Sequence, residues 1–397
     1  MKKILNHISG DRPIWAIATL LAIFSFLPVY SSSSNLAYLY GNGNTLGYIF
    51  KHLMHLFLGF SIMYGAHKIP YNYYKGISLL MIPVIIVLLA YTIFQPVFSD
   101  SMTNSNRWIK IPVLGFTFQP STLASSILLI YIARYLAKIK DDIISFSKTI
   151  LPLWLPVFIV VALILPANFS TAAILFLLVL VICFLGGYPK RYLSLIILSS
   201  IFIFSLFVLT IKLFPEAMPN RVDTWTNRVE NFFNSENTES NYQIEKAKIA
   251  IATGGITGLG PGKSIQKNFL PQSSSDFIYA IIIEEFGLIG GLFLIILYLW
   301  FLFRVVIITN KSESVFGSLL TISMGLPIVF QAFVNMSVAV ELMPVTGQTL
   351  PLISSGGTSI WMTCLSIGII LSVSKKNQLN NEEIDSTNPL EILKETI

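Results

Sequence analysis

Apolar runs close to the ~20 residues that carry a helix across a bilayer recur from one end of this chain to the other. Ten can be drawn: 13–30, 46–67, 75–95, 118–137, 150–166, 168–187, 191–214, 276–303, 316–340 and 350–374. A backbone in lipid must satisfy its own polar groups, so runs of this length are read as helices. Composition agrees, since of 397 residues 54% are hydrophobic and 12% charged, about half the charge of an average soluble domain. The expected fold is all-α and polytopic, with about ten transmembrane helices and one long external loop between helices seven and eight. Residues 1–376 form the membrane domain, 215–275 its large extracytoplasmic loop, and 377–397 a flexible cytoplasmic tail.

The placement of basic residues orients these spans. Lys2, Lys3 and Arg12, Lys68 and Lys75, Arg134, Lys138, Lys140 and Lys148, Lys190 and Arg191, Arg304 and Lys311, and Lys375, Lys376 and Lys394 all fall on one side. The short loops of the other side hold only Arg107 and Lys110. By the positive-inside rule both termini are cytoplasmic. The net charge of +6 then reflects topology and anionic lipid, and no nucleic-acid partner is expected. The N-terminus resembles a signal peptide without a small-residue cleavage site and reads as a retained first helix. Cys183 and Cys364 sit in apolar runs and imply neither a disulfide frame nor a metal site. His52, His55 and His67 lie along one span, where packing or interfacial roles are expected.

Chemistry concentrates on the external side. In SNRWIKIPVLGFTFQPS (105–121), Arg107, Trp108, Lys110 and Gln119 read either as an interfacial anchor or as part of a site. Residues 242–252 form an amphipathic helix expected on the membrane surface. GGITGLGPGKS (254–264) invites a phosphate-loop reading, but the pattern needs glycine where Thr257 stands, which excludes an ATPase. Its glycines, with Lys263 and Lys267, suit either close approach to an anion or a flexible turn. In 335–361, Pro344, Gly347, Pro351, Gly356 and Gly357 break the backbone between spans. Gln348, Thr349, Ser354 and Ser355 there read as a cavity wall, with a plain turn as the alternative. Asp276 opens the eighth span, either as a helix cap or as a catalytic acid. Glu284 lies eight residues on, about 12 Å deeper along a helix, too far for a carboxylate dyad. Glu284 and Glu285 are expected to pair with Lys or Arg elsewhere in the bundle.

Three patches in order, RWIKIPVLGFTFQPS, GGITGLGPGKSIQKNFLPQSSSDFIYAIIIEEFGLIGG and PVTGQTLPLISSGGTS, resemble the SEDS (shape, elongation, division and sporulation) family of peptidoglycan polymerases. The likeness covers nearly the whole chain and leans toward division members more than elongation members. It implies a glycosyltransferase acting on lipid II at the outer face of the bacterial cytoplasmic membrane. It implies Asp276, in Asp276-Phe277-Ile278-Tyr279-Ala280, as the essential carboxylate, with the family's loop tryptophan at Trp108 and its glutamate pair at Glu284-Glu285. Thr122 and Ser125 stand where the family usually has an acid and a lysine, Thr358 where serine is usual, and Glu341 where a small residue is common.

On that footing Asp276 acts as general base toward an acceptor sugar hydroxyl, and the leaving group is a polyprenyl diphosphate. Arg107, Lys110, Lys263 and Lys267 are the candidate cations for the diphosphate, with a divalent cation (Mg²⁺ or Mn²⁺) as candidate cofactor. Gln119, Trp108, Gln348 and Ser354 are candidate substrate contacts, and Glu284, Glu285, Gly356 and Gly357 supporting residues. The expected partners are a class B penicillin-binding protein transpeptidase and other proteins of the division or elongation complex. The alternatives are a flippase for lipid-linked precursor and a non-catalytic scaffold.

Overall fold

The computed structural model describes residues 9–40, 45–95, 107–111, 116–213, 239–270 and 273–386. The expected loop segment 214–238 and the tail from 387 onward lie outside the described residues, as do Lys2, Lys3, His7 and Lys394.

Each of the ten apolar runs is helical. The first seven are α1 (Arg12–Tyr40), α2 (Thr45–Lys68), α3 (Tyr74–Phe94), α4 (Pro120–Lys138), α5 (Phe146–Ile164), α6 (Phe169–Leu185) and α7 (Lys190–Leu213). After α8 (Glu239–Gly254) come α9 (Ile278–Lys311), α10 (Val315–Ala339) and α11 (Gly357–Ser386). Eight of them are long and apolar enough to cross a membrane, and the protein is a multi-pass membrane protein. The last run starts later than expected, at Gly357, and its helix continues past residue 377 to Ser386. Before α4, β1 (Ile109–Ile111) and β2 (Phe116–Phe118) pair antiparallel, Lys110 opposite Thr117.

The bundle centre is α4, α10 and α11. Residues 127–133 of α4 are all buried, so this helix is apolar around its whole circumference, as an interior helix should be. α11 packs along α2 through small residues. A Cβ on Gly368 would come within 2.6 Å of the Met63 carbonyl oxygen, and one on Gly59 within 2.9 Å of Cys364 Sγ. Close backbone approach of this kind substitutes for the hydrophobic drive that lipid does not provide. At the end carrying Arg12, Asp11 caps α1 through the Ile14 N–H at 3.2 Å and accepts a forked pair of bonds from Arg304 of α9.

Two segments depart from simple spanning helices. The amphipathic α8 packs its Ile244, Ala247, Ala250 and Gly254 stripe on protein, chiefly α9, not on a bare membrane surface. And α9 is broken near its start: Gly287 has φ 70°, ψ −172°. Around the break, Glu284 and Glu285 carbonyls accept from the N–H groups of Leu259 and Gly260, both 2.9 Å. Leu288 and Ile289 N–H groups donate to Gly255 and Ile256 carbonyls at 2.9 and 3.3 Å. Residues 255–260 of the glycine-rich stretch lie in the gap of a broken helix and complete its hydrogen bonds.

Candidate active site

The turn 273–277 precedes α9, whose first eight residues, 278–285, are buried. The N-cap position is Phe277, so Asp276 lies before the helix and does not cap it. Loop 340–356 runs alongside, and it and α10 together tie down three successive carbonyls of the turn. Ser274 O accepts from both the N–H and the Oγ of Ser355 at 3.0 Å. Ser275 O accepts from Ser354 Oγ at 2.7 Å, and Asp276 O from Asn335 Nδ2 at 2.8 Å. Irregular backbone at membrane depth is thereby satisfied inside the protein.

The loop in turn is held by α10 and α6. Asn335 Nδ2 also donates to Gln348 O at 2.7 Å. One helical turn earlier, Gln331 Nε2 donates to Thr349 O at 2.8 Å and to Thr349 Oγ1 at 3.1 Å. Gln348 itself reaches Thr171 Oγ1 of α6 at 3.0 Å. Gly347 is at φ 70°, and a Cβ there would lie 3.6 Å from Asp276 Oδ2 and 4.0 Å from Arg107 Nη1. A half-buried carboxylate and a half-buried guanidinium therefore both come up to this one glycine.

The glutamate pair is built differently. Glu284 is 0% and Glu285 1% exposed. Glu284 accepts from Ser264 Oγ and from the N–H groups of Ile265 (3.0 Å) and Gln266 (3.2 Å). Glu285 accepts from Ser31 Oγ of α1 and from Ser264 N–H at 3.3 Å. The expected Lys or Arg partners are largely replaced by amides and hydroxyls, because the loop folded over α9 turns its N–H groups inward. Lys267 adds charge beside Glu285, and its ammonium donates to Gly262 O (2.8 Å) and Ser31 Oγ (3.1 Å).

The family model FTSW_RODA_SPOVE, described as cell cycle protein, matches residues 11–379. The chain belongs to this family. It is 29% identical over 372 residues to the probable peptidoglycan glycosyltransferase FtsW of Geobacter sulfurreducens, covering 92% of this chain and 95% of that one. It is 31% identical over 335 residues to the protein of the same name from Nitrosococcus halophilus, covering 83% and 84%. Among solved structures it resembles a chain from a peptidoglycan synthase complex described as coordinating polymerization and crosslinking. That match has TM-score 0.70 at 23% identity over 93% of this chain and 98% of that one. The rod shape determining protein RodA of Thermus thermophilus matches with TM-score 0.64 at 22% identity, over 94% and 99%. At these identities the structural likeness is one of fold.

Within this family fold the other candidate residues divide by what they touch. Trp108 is half-buried, and its carbonyl accepts from Gln95 Nε2 at 3.1 Å. Gln119 precedes α4 and donates to Ser121 Oγ at 3.0 Å. Lys110 belongs to β1, and its side chain lies outside the described set. Lys263 is exposed, whereas Ser354 is 2% exposed, with its hydroxyl accepting from Leu350 N–H as well as donating to Ser275 O. Gly357 leaves room for His55, whose ring carbon would lie 2.7 Å from an added Cβ, and Gly356 sits against Thr349 and Ser359. Where the family's usual charges are replaced, Thr122 and Ser125 turn their hydroxyls to Gln119 O and Ser121 O, each 2.8 Å. Reading the sequence missed Gln331, Asn335, Thr171 and Ser31. Two amides spaced i, i+4 in an apolar span were the available signal, since polar side chains at such depth need partners.

Proposed function

We propose that the chain is a peptidoglycan glycosyltransferase that polymerises lipid II into glycan strands, in division more than in elongation. Curated relatives spanning almost the whole chain are named as such enzymes. The observation that carries the mechanism is that the Asp276 carboxylate and the Arg107 guanidinium both come up to Gly347.

Asp276 takes the proton from the acceptor sugar hydroxyl as its oxygen attacks the donor's anomeric carbon. The bond from that carbon to the diphosphate oxygen breaks, and the electron pair leaves with the polyprenyl diphosphate. Single displacement inverts an α-linked donor to a β-linked product. Charge grows on the diphosphate, where cations fixed in advance stabilise it most; Arg107, which approaches Gly347 as Asp276 does, is the first candidate, with Lys110 and Lys263 further candidates. Among the described residues no three His, Cys, Asp or Glu side chains converge. A divalent cation, Mg²⁺ or Mn²⁺, would find one carboxylate here and draw its remaining ligands from diphosphate and water, as magnesium commonly does. Bound there, it would neutralise leaving-group charge.

The site opens on the outer face of the cytoplasmic membrane, with both termini in the cytoplasm, an orientation supported by the one-sided placement of Lys and Arg. A class B penicillin-binding protein is the proposed partner, supported by the fold shared with a chain of a synthase complex. The test uses the full-length chain in detergent with purified lipid II. Asp276→Asn is expected to cut polymer formation about 10²–10⁴-fold while remaining monodisperse. Polymer at the wild-type rate from that variant overturns the base assignment, and no polymer from the wild type favours the transporter or the scaffold.

A further inference from the structure

We propose that Asn335 is the positioning residue of this site, the α10 side chain that fixes the carbonyl of Asp276 relative to the Gly347 segment of the loop. The inference rests on the general-base reading of Asp276 and adds what holds that base in register. Asn335 is 1% exposed on α10, and its single amide nitrogen donates to Asp276 O at 2.8 Å and to Gln348 O at 2.7 Å. Those carbonyls belong to the residue bearing the carboxylate and to the residue following Gly347. One nitrogen thus joins the turn that carries the Asp276 carboxylate to the loop segment whose Gly347 that carboxylate and Arg107 both approach.

Its neighbour Gln331 provides a built-in comparison. It lies on the same face of α10 and bonds to the next carbonyl of the same loop, Thr349 O, but no bond from it to the 273–277 turn is seen among the described residues. A generic loop support would make Gln331 and Asn335 equivalent. Of these two amides, a register function belongs to Asn335. The Ser354 and Ser355 bonds hold Ser275 and Ser274, leaving the carbonyl of the reacting residue itself to Asn335.

The experiment measures kcat and KM for purified lipid II on monodisperse full-length Asn335→Leu, Asn335→Ser and Gln331→Leu, beside wild type and Asp276→Asn. Displacing a reacting group by about 1 Å can cost of order 10²-fold, so kcat of Asn335→Leu should fall about 10–100-fold with KM within about threefold. Asn335→Ser, which keeps one short donor and less bulk to misplace, should fall in between and serves where the leucine variant does not fold. Gln331→Leu should lose about tenfold less than Asn335→Leu. Equal losses in the two leucine variants, wild-type kcat per folded Asn335→Ser, or a rise in KM at constant kcat each overturn the proposal. An inactive Asp276→Asn beside fully active Asn335 variants sinks this inference alone. An active Asp276→Asn sinks the general-base reading and this inference with it.

Discussion

Eight residues separate Asp276 from Glu284, and the protein grips the two acids by opposite ends. At Asp276 the turn's backbone is held, Asn335 and the Ser354–Ser355 pair bonding three successive carbonyls, and the half-buried carboxylate comes up to Gly347 as Arg107 does. At Glu284 and Glu285 the donors go to the carboxylates themselves, from Ser31, Ser264 and the 264–266 amides. A fully buried acid whose oxygens are enclosed by fixed donors is committed to structure. A half-buried acid on a pinned main chain can meet a substrate. Position in the same motif says nothing about which of these an acid is; its burial does.

The largest expected effect breaks the comparison at its functional end. Asp276→Asn should lose about 10²–10⁴-fold in polymerisation with no fall in thermal midpoint, measured by glycan gel and by fluorescence-detected unfolding. A matched drop in midpoint would move Asp276 into the structural class. Next comes the frame of the acid pair. A Cβ on Gly258 would lie 2.2 Å from Glu285 O, and one on Gly287 2.1 Å from Ile256 O, both at positive φ. Gly287→Ala should cost about 3 kcal/mol or more from overpacking and left-handed strain, read as loss of monodisperse protein. Normal yield and midpoint would mean that loop and broken helix are not apposed.

Removing one acid from the nest should cost less. Glu284→Gln keeps the shape but turns an NH₂ toward the donors of residues 264–266, and an unsatisfied buried group costs about 1–3 kcal/mol. Its thermal midpoint should drop while kcat per folded molecule stays near wild type. A kcat loss as deep as that of Asp276→Asn, at an unchanged midpoint, would erase the distinction between the two acids.

How much of this the sequence disclosed follows the same divide. The spans were legible because crossing a bilayer demands length and apolarity together, and both are local properties. The broken helix was not. Gly287 sits in a run that reads as uninterrupted helix, and the segment that fills its gap lies some thirty residues earlier in the chain. Glycines in GGITGLGPG therefore looked like a turn or an anion site when their partner was another stretch of backbone. Asp276 could be read from its surroundings as a cap, and only the family resemblance favoured catalysis. The cap reading lapses because the helix starts at Ile278. Asn335 opens the 335–361 segment yet carried no signal of its own, since one amide in an apolar span does not name the carbonyls it will reach.

The smallest predicted effect asks whether the site loop is held from inside or from its surface. Glu341, at the start of that loop, has φ 61° and pairs with Lys248 of α8 at 2.6 Å, the two side chains 45% and 53% exposed. Exposed pairs contribute about 0–1 kcal/mol. A non-glycine residue in the left-handed region costs about 1–2 kcal/mol, which glycine would relieve. Glu341→Gly should thus leave stability unchanged or raise it by up to about 1 kcal/mol, whereas Lys248→Met, which loses the pair and keeps the strain, should lower it slightly, less so at high salt. Both should polymerise lipid II at near the wild-type rate, because the bonds from Asn335, Gln331, Ser354 and Ser355 remain. A severalfold fall in kcat for Glu341→Gly would mean that the surface pair shares in setting the loop, and that the inward grip on Asp276 is only part of what orders it.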